Sequence, residues 1–424
     1  MIKKIDLNKS SENIFLLGTF LLASTMSVGI FLISIASIIS FTLNKKEFYS
    51  DKWTKVSILI GFLMICACIF QTIDYRAKDL FDWNISYTWI GLLNWLPLFF
   101  LFISSQNFLK TTSQRLRVSI FLFSGTIPVF ITGLGQYYLG WQGPFSFLNG
   151  LIIWYLKEIE PHSGLSGLFS NQNYTGTWLS SMWPFCLSFV FLNNKSKFKR
   201  ILSIIFLIIT TWTIVLTTSR NALLGILISI PLITGLKSLF VILSIIILLL
   251  IIFIFRSYLP FASEFLDFLS SIIPSQFINK FNKVSLTKIL EFRRINLWKE
   301  SIEIISRRPI FGIGAAFFPI LYEIYYEPSN YIEQHTHNLF IDLAASYGFL
   351  TSFITISFIT TLIFLAWKSI QADRSDNKQF IINKCWLAST IIIVFSQIND
   401  ITYYDGRISI IFWILLSGLR NIIV

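Results

Sequence analysis

The side chains with chemistry to offer are few, and they lie between long apolar runs. Two of the three histidines stand together in His335-Thr336-His337-Asn338, directly before one such run. A neutral imidazole at that boundary can take a proton from a hydroxyl; the plain alternative is an ordinary interfacial histidine. Thr336 is expected to cap the helix that follows, with His337 at its start. Glu333, His335 and His337 could also ligate a metal, but no second ligand cluster accompanies them. Arg220 lies in the tight segment Thr217-Thr218-Ser219-Arg220-Asn221-Ala222 at a helix start. A guanidinium beside free backbone N–H groups suits an anion; the alternative is snorkelling to lipid head groups. Arg293 and Arg294 precede Trp298, and on a helix Arg294 and Trp298 share a face, so the indole can pack the arginine stem. A Glu291–Arg294 pair on a solvated face is the competing reading.

Further polar groups collect near other run boundaries. Asn171 and Asn173 stand just before an apolar run, as helix caps or as partners for a sugar hydroxyl. Asp400, Asp405 and Arg407 share a turn between the last two runs, where Arg407 is a candidate partner for either aspartate. Asp342 lies one turn into its run, and a carboxylate at that depth needs a partner or a cavity. The chain contains no GxxxxGK, HExxH or DxD segment, so nucleotide-driven or metal-dependent nucleotide-sugar chemistry finds no support. The four cysteines, Cys66, Cys68, Cys186 and Cys385, have no metal-type or redox-type spacing.

The elements that must position these groups are membrane helices. Of 424 residues, 54% are hydrophobic and 13% charged, about half the charged share of a soluble domain, which excludes a soluble enzyme or a disordered regulator. Apolar runs long enough to span occur at about 56–73, 88–109, 118–139, 174–192, 201–217, 221–236, 238–256, 338–367, 385–402 and 407–420. The thirty-residue piece Ile14–Leu43 has a polar break at Ser24, Thr25, Ser27 and Gly29, and reads as one tilted helix or a pair. Basic residues decide for the pair. Twelve spans with both termini inside place Lys45, Lys46, Lys110, Arg115, Lys197, Lys199 and Arg200 on the cytoplasmic side. Of the basic residues in short segments, only Arg76, Lys78, Lys157, Arg220 and Arg407 then fall outside. The net charge of +12 is thus a topology signal and not a nucleic-acid footprint. The expected class is an all-α integral membrane protein of about twelve spans. Its parts are an N-terminal bundle (1–256), an outer loop (257–336) holding amphipathic helices near Phe261–Leu269 and Leu286–Ile305, and a C-terminal bundle (337–424). All three histidines, His162 included, fall on the outer side.

The order of the motifs resembles the O-antigen ligase and O-antigen polymerase superfamily of bacterial inner membranes. The matching pieces are Phe169-Ser170-Asn171-Gln172-Asn173, Ser219-Arg220-Asn221-Ala222, Arg294-x-x-x-Trp298, Pro309-x-x-Gly312-x-Gly314 and His337-Asn338 followed by Gly348. Two features depart from the pattern: an asparagine follows the first arginine, and Arg293 sits beside Arg294. The resemblance implies a C-type membrane glycosyltransferase without cofactor or metal, moving a glycan from undecaprenyl diphosphate at the periplasmic face. Its acceptor is a hydroxyl of lipid A–core or of another glycan, and its other partners are membrane lipids rather than nucleic acid. It further implies that Arg220 and Arg294 hold the diphosphate and His337 activates the hydroxyl, with inversion at the sugar carbon. Arg293, Trp298, His335, Asn338, Asn171, Asn173, Asp405 and Arg407 are expected to line the substrate path. Ligase and polymerase share the donor; the intact histidine motif and a long loop near the C-terminus favour ligase. A bicarbonate-type transporter is the reading from another class. Against it stand interesting charges at the outer face and a Ser24–Gly29 break with no counterpart in the second half.

Overall fold

The computed structural model describes residues 2–74, 84–161, 163–193, 196–254, 264–265, 268, 271, 293–326 and 333–423. His162, Glu291, Arg76 and Lys78, the Phe261–Leu269 helix apart from residues 264, 265 and 268, and the first part of Leu286–Ile305 lie outside the described residues.

The Ile14–Leu43 piece is two helices, α1 (Ile2–Leu21) and α2 (Met26–Ser50), packed as a hairpin. Then come α3 (Lys52–Ile73), α4 (Ser86–Gly91), α5 (Leu96–Ser105), α6 (Thr112–Ser124) and α7 (Ile127–Leu139). A small antiparallel ribbon of β1 (Phe145–Phe147) and β2 (Ile152–Trp154) departs from the purely helical expectation. It docks on the α1–α2 turn, where the Trp154 indole N–H donates to the Ser24 carbonyl at 2.8 Å. Next are α8 (Gln172–Leu192), α9 (Lys197–Leu216), α10 (Arg220–Thr234) and α11 (Lys237–Ile254). The chain finishes with α12 (Arg293–Ser306), α13 (Phe318–Tyr325), α14 (Leu339–Tyr347), α15 (Phe349–Ala372), α16 (Asn377–Asn399) and α17 (Gly406–Ile423).

Among the described residues, eight helices or helix pairs are long and apolar enough to cross a membrane: α2, α3, α4–α5, α6–α7, α9, α15, α16 and α17. The protein is a multi-pass membrane protein. Large side chains such as Phe31, Phe62, Phe198, Phe353 and Phe364 are exposed along these helices, as a lipid-facing belt requires. The expected twelve are not reached by this measure. Helix α8 is 21 residues long but carries many buried serines and threonines, because α9, α10 and α16 enclose it. A helix sheltered from lipid can be polar and associate through small residues, as in the 2.7 Å bond from the Ser389 hydroxyl to the Ser181 carbonyl. Helix α10 is shorter, 15 residues, and so is the apolar stretch of α11. One continuous core from Phe15 to Leu419 joins the N- and C-terminal bundles.

The expected single span 338–367 is instead two helices, α14 and α15, broken at Gly348. Gly348 has φ +91, and a Cβ there would fall 1.9 Å from the Ile310 carbonyl oxygen. The Pro309–Gly314 turn seats in this break: Phe349 N–H donates to the Pro309 carbonyl and Ile313 N–H to the Ala345 carbonyl, both at 2.7 Å. Gly312, at φ +70, meets the same strand of backbone, with a would-be Cβ 2.5 Å from the Ala345 oxygen. The glycines are needed because two backbones touch here.

Candidate functional site

The site is assembled where the starts of α8, α10, α12 and α14 meet the C-terminal end of α16. Its centre is His337, held at φ +53 in the short segment between Glu333 and α14. That conformation is rare outside glycine and is retained only where the surroundings enforce it. The following residue enforces it in part. Asn338, and not Thr336, caps α14: its side-chain oxygen accepts from the Phe340 and Ile341 N–H groups at 3.0 and 3.2 Å. Its amide donates to the Ile398 carbonyl at 3.1 Å, tying the cap to α16. Extended backbone at Asn338 puts its short amide within reach of those N–H groups. Thr336 instead donates its hydroxyl to the Asn338 carbonyl at 2.8 Å.

His337 Nδ1 lies 3.1 Å from Asp400 Oδ1, and Asn173 donates its amide to Asp400 Oδ2 at 2.8 Å. Asp400 is the residue sequence reading missed as a partner of the histidine. Its local spacing offers Arg407 as a partner, 63 residues in sequence separate it from His337, and nothing in that spacing points across the fold. Burial opposes its charge, but the hydrogen bond from His337 and the neighbouring cationic groups hold its carboxyl below the usual carboxylate range. A charged Asp400 fixes the imidazole with Nδ1–H towards the carboxylate, leaving Nε2 as the basic atom. Glu333 Oε2 stands 3.5 Å from Nε2. Next to it, burial and His337 push the His335 imidazole below its ordinary range, against the pull of Asp400 and Glu333.

Arg294 lies in the first turn of α12. Burial and the like charge of Arg220 lower its guanidinium from the ordinary range, while Asp400 and Glu333 act the other way. Arg294 therefore lies within the field of Asp400, Arg220 and Glu333. Trp298, one turn on, donates its indole N–H to the Thr336 carbonyl at 3.0 Å. The arginine–tryptophan spacing thus locks the helix carrying Arg294 to the segment carrying His337. Arg293 begins the same helix. Arg220 is exposed at the first turn of α10, where the cap residue Ser219 makes no side-chain cap bond among the described residues. The helix start therefore adds free N–H groups to the guanidinium. Before it, Thr218 holds φ +54, a costly conformation for a β-branched side chain. Its hydroxyl donates to Gln172 Oε1 at 3.4 Å, and that same oxygen accepts the Gly164 N–H. Asn171 caps α8 by accepting the Asn173 N–H at 2.8 Å, which fixes Asn173 towards Asp400. The asparagine motif is the seat of both the arginine turn and the Asp400 carboxylate.

Asp405 and Arg407 are brought close to this site but commit to each other. Arg407 meets both oxygens of Asp405, at 2.9 and 2.7 Å, and lies 3.9 Å over the Phe169 ring. Both are buried, and they bolt the turn before α17 to the segment before α8. Asp342 accepts a hydrogen bond from the Tyr404 hydroxyl. His335, His337 and Asp400 have ligand atoms all within 4.8 Å of one another, a different trio from the Glu333-based one the sequence suggests. That trio could hold a divalent metal, though the positive charge of Arg294, felt at Asp400, opposes a cation there.

The site thus sets an imidazole paired with a carboxylate near arginine side chains, at the ends of membrane helices. Residues 204–356 match the model of a protein family described as O-antigen ligase. The matched stretch runs from α9 into α15 and holds Arg220, Arg294, Trp298 and His337. It supports a place in the O-antigen ligase and polymerase superfamily and a glycosyltransferase-like activity. Comparison with curated proteins finds no match.

Proposed function

We propose that the protein is a glycosyltransferase of the bacterial inner membrane. It passes a glycan from undecaprenyl diphosphate to an acceptor hydroxyl at the periplasmic face, with lipid A–core as the acceptor. The observation that carries this reading is the His337–Asp400 pair with the charge of Arg294 beside it and Arg220 within reach of Arg294. In the reaction His337 Nε2 takes the hydroxyl proton as the acceptor oxygen bonds to the anomeric carbon. The carbon–oxygen bond to the diphosphate breaks, and its electron pair leaves with the diphosphate. Asp400 stabilises the imidazolium that forms. Arg220, Arg294 and the free N–H groups of α10 meet the developing negative charge, which is the work a metal would otherwise do. Attack opposite the leaving group inverts the sugar carbon. Asn171 and Asn173 border the path of the diphosphate and its first sugars, near the start of α12 where position 293 falls.

Both termini are cytoplasmic in this reading, with twelve spans and an outer loop over 257–336; the distribution of lysine and arginine supports it. Polymerase action uses the same donor and site, and differs in passing the chain to another repeat unit. Transport is disfavoured by the position of the ionisable groups at a helix-end cluster. The Gly348 break between α14 and α15 gives the second half a helix break of its own, so breaks do not separate the two readings. Reconstitution with a lipid-linked glycan, lipid A–core and a chelator tests the reading. Transfer should persist in chelator and fall at least about 10³-fold in Arg294→Ala. Full activity in that variant, with normal membrane insertion, sinks the mechanism.

A further inference from the structure

A cavity of about 390 Å³ opens beside His335, between α4, α8 and α14. That volume lies within the usual range for small-molecule sites, about 300–1,000 Å³. Its wall is ring-rich: Tyr87, Trp95, Tyr174, Tyr347 and Tyr404 all contribute. Among the described residues its lining contains no lysine or arginine, and its one carboxyl is Asp342. A diphosphate finds no guanidinium or ammonium group there. Rings, an amide from Asn94 and a carboxyl from Asp342 suit a neutral polyol with apolar C–H faces, that is, a sugar ring.

The wall is built and held. Trp95 stacks on Tyr403 with ring centroids 4.6 Å apart, and Tyr403 donates its hydroxyl to the Asn94 carbonyl at 2.9 Å. The Trp413 indole N–H donates to that same hydroxyl at 2.9 Å. Tyr347 is 2% exposed, and its hydroxyl has no hydrogen-bond partner among the described residues. A buried polar atom without a partner is uncommon and marks a place where a ligand can supply one. Ala316, also in the wall, holds φ +62. The cavity reaches His335, whose ring centroid lies 4.4 Å from that of His337.

We infer that this cavity is the subsite for the acceptor's terminal sugar, whose hydroxyl is presented to His337, while Arg220 and Arg294 hold the donor diphosphate elsewhere on the same base. The inference rests on the glycosyl-transfer reading above and gives the site a direction, with the acceptor in the cavity that lacks lysine and arginine and the leaving group on the guanidinium side.

The test is binding to the purified full chain in micelles, by calorimetry. The probes are deacylated lipid A–core oligosaccharide, a free O-antigen repeat oligosaccharide and inorganic pyrophosphate. Tyr87→Ala and Asn94→Ala are the chosen variants, because Tyr87 is 49% exposed and Asn94 is exposed, so neither holds the fold. At least one oligosaccharide should bind the native protein and lose five-fold or more in affinity in each variant, with pyrophosphate binding unchanged. Arg220→Ala should do the reverse. Equal oligosaccharide affinity in native protein and both variants, or no oligosaccharide binding, overturns the subsite. If instead Arg294→Ala retains transfer while the cavity variants lose oligosaccharide, the diphosphate mechanism falls and the cavity stands.

Discussion

At the scale of single residues, the decisive link is Asp400 to His337. An imidazole alone can rotate and can protonate on either nitrogen; a buried carboxylate at 3.1 Å removes that freedom. Asp400→Asn should therefore lower kcat by about 10²- to 10⁴-fold while KM for the donor changes little. A steady-state assay reads both, and an unchanged kcat would reduce the contact to a structural one. His335 gives a pH prediction. Its folded-state pKa is depressed by burial, so between that value and about 6.5 the unfolded chain binds more protons than the folded one. Stability therefore rises with pH through that window and is flat above it. Thermal unfolding in detergent should show Tm falling as pH drops below about 6.5, with a smaller fall in His335→Gln. The residue types at this site were legible in the sequence, because ionisable groups are so rare in an apolar chain. The pairings were not: Arg407 could have joined Asp400 or Asp405, and only tertiary geometry gives Asp405 to the arginine and Asp400 to the histidine.

At the scale of elements, caps and breaks decide where the site forms. The spacing from Arg294 to Trp298 was visible, but its purpose was not, since the indole reaches across 38 residues to the Thr336 carbonyl. The Gly348 break escaped the reading of 338–367 for a related reason. Hydropathy is continuous across it, and a lone glycine in an apolar run is ordinary in membrane helices. Its necessity comes from the Pro309–Gly314 turn, which approaches so closely that a single methyl group would strike the Ile310 oxygen. Gly348→Ala should therefore cost several kcal/mol, combining strain of about 1–3 kcal/mol at φ +91 with displacement of that turn. Fluorescence-detected size exclusion after heating should show earlier loss of folded protein. Trp298→Phe keeps the ring but strips the Thr336 carbonyl of its donor, worth about 0.5–1.5 kcal/mol, and should lower kcat more than it lowers Tm.

At the scale of the whole molecule, one core unites the two bundles, and α8 is its buried axis. Apolar composition made the membrane class legible, and the α1–α2 hairpin followed from charge bookkeeping. Span number was less legible, because hydropathy reports what faces lipid and α8 faces protein. The same charges make a prediction about orientation. The turn between α15 and α16 carries Arg374, with Lys378 at the start of α16, and lies at the end of α15 remote from α14 and the His337 segment. Positive-inside orientation puts that turn in the cytoplasm and the His337 segment outside. The native cysteines give a low background, since Cys68, Cys186 and Cys385 are buried and Cys66 is half-buried. Gln334→Cys and Ser375→Cys, both at exposed positions, can then be probed with a membrane-impermeant maleimide on spheroplasts. Gln334→Cys should label on intact spheroplasts, and Ser375→Cys only after permeabilisation. The opposite pattern would place the imidazole and both guanidiniums in the cytoplasm, on the side where nucleotide sugars are available, and would remove the need for a donor that carries its own diphosphate across the membrane.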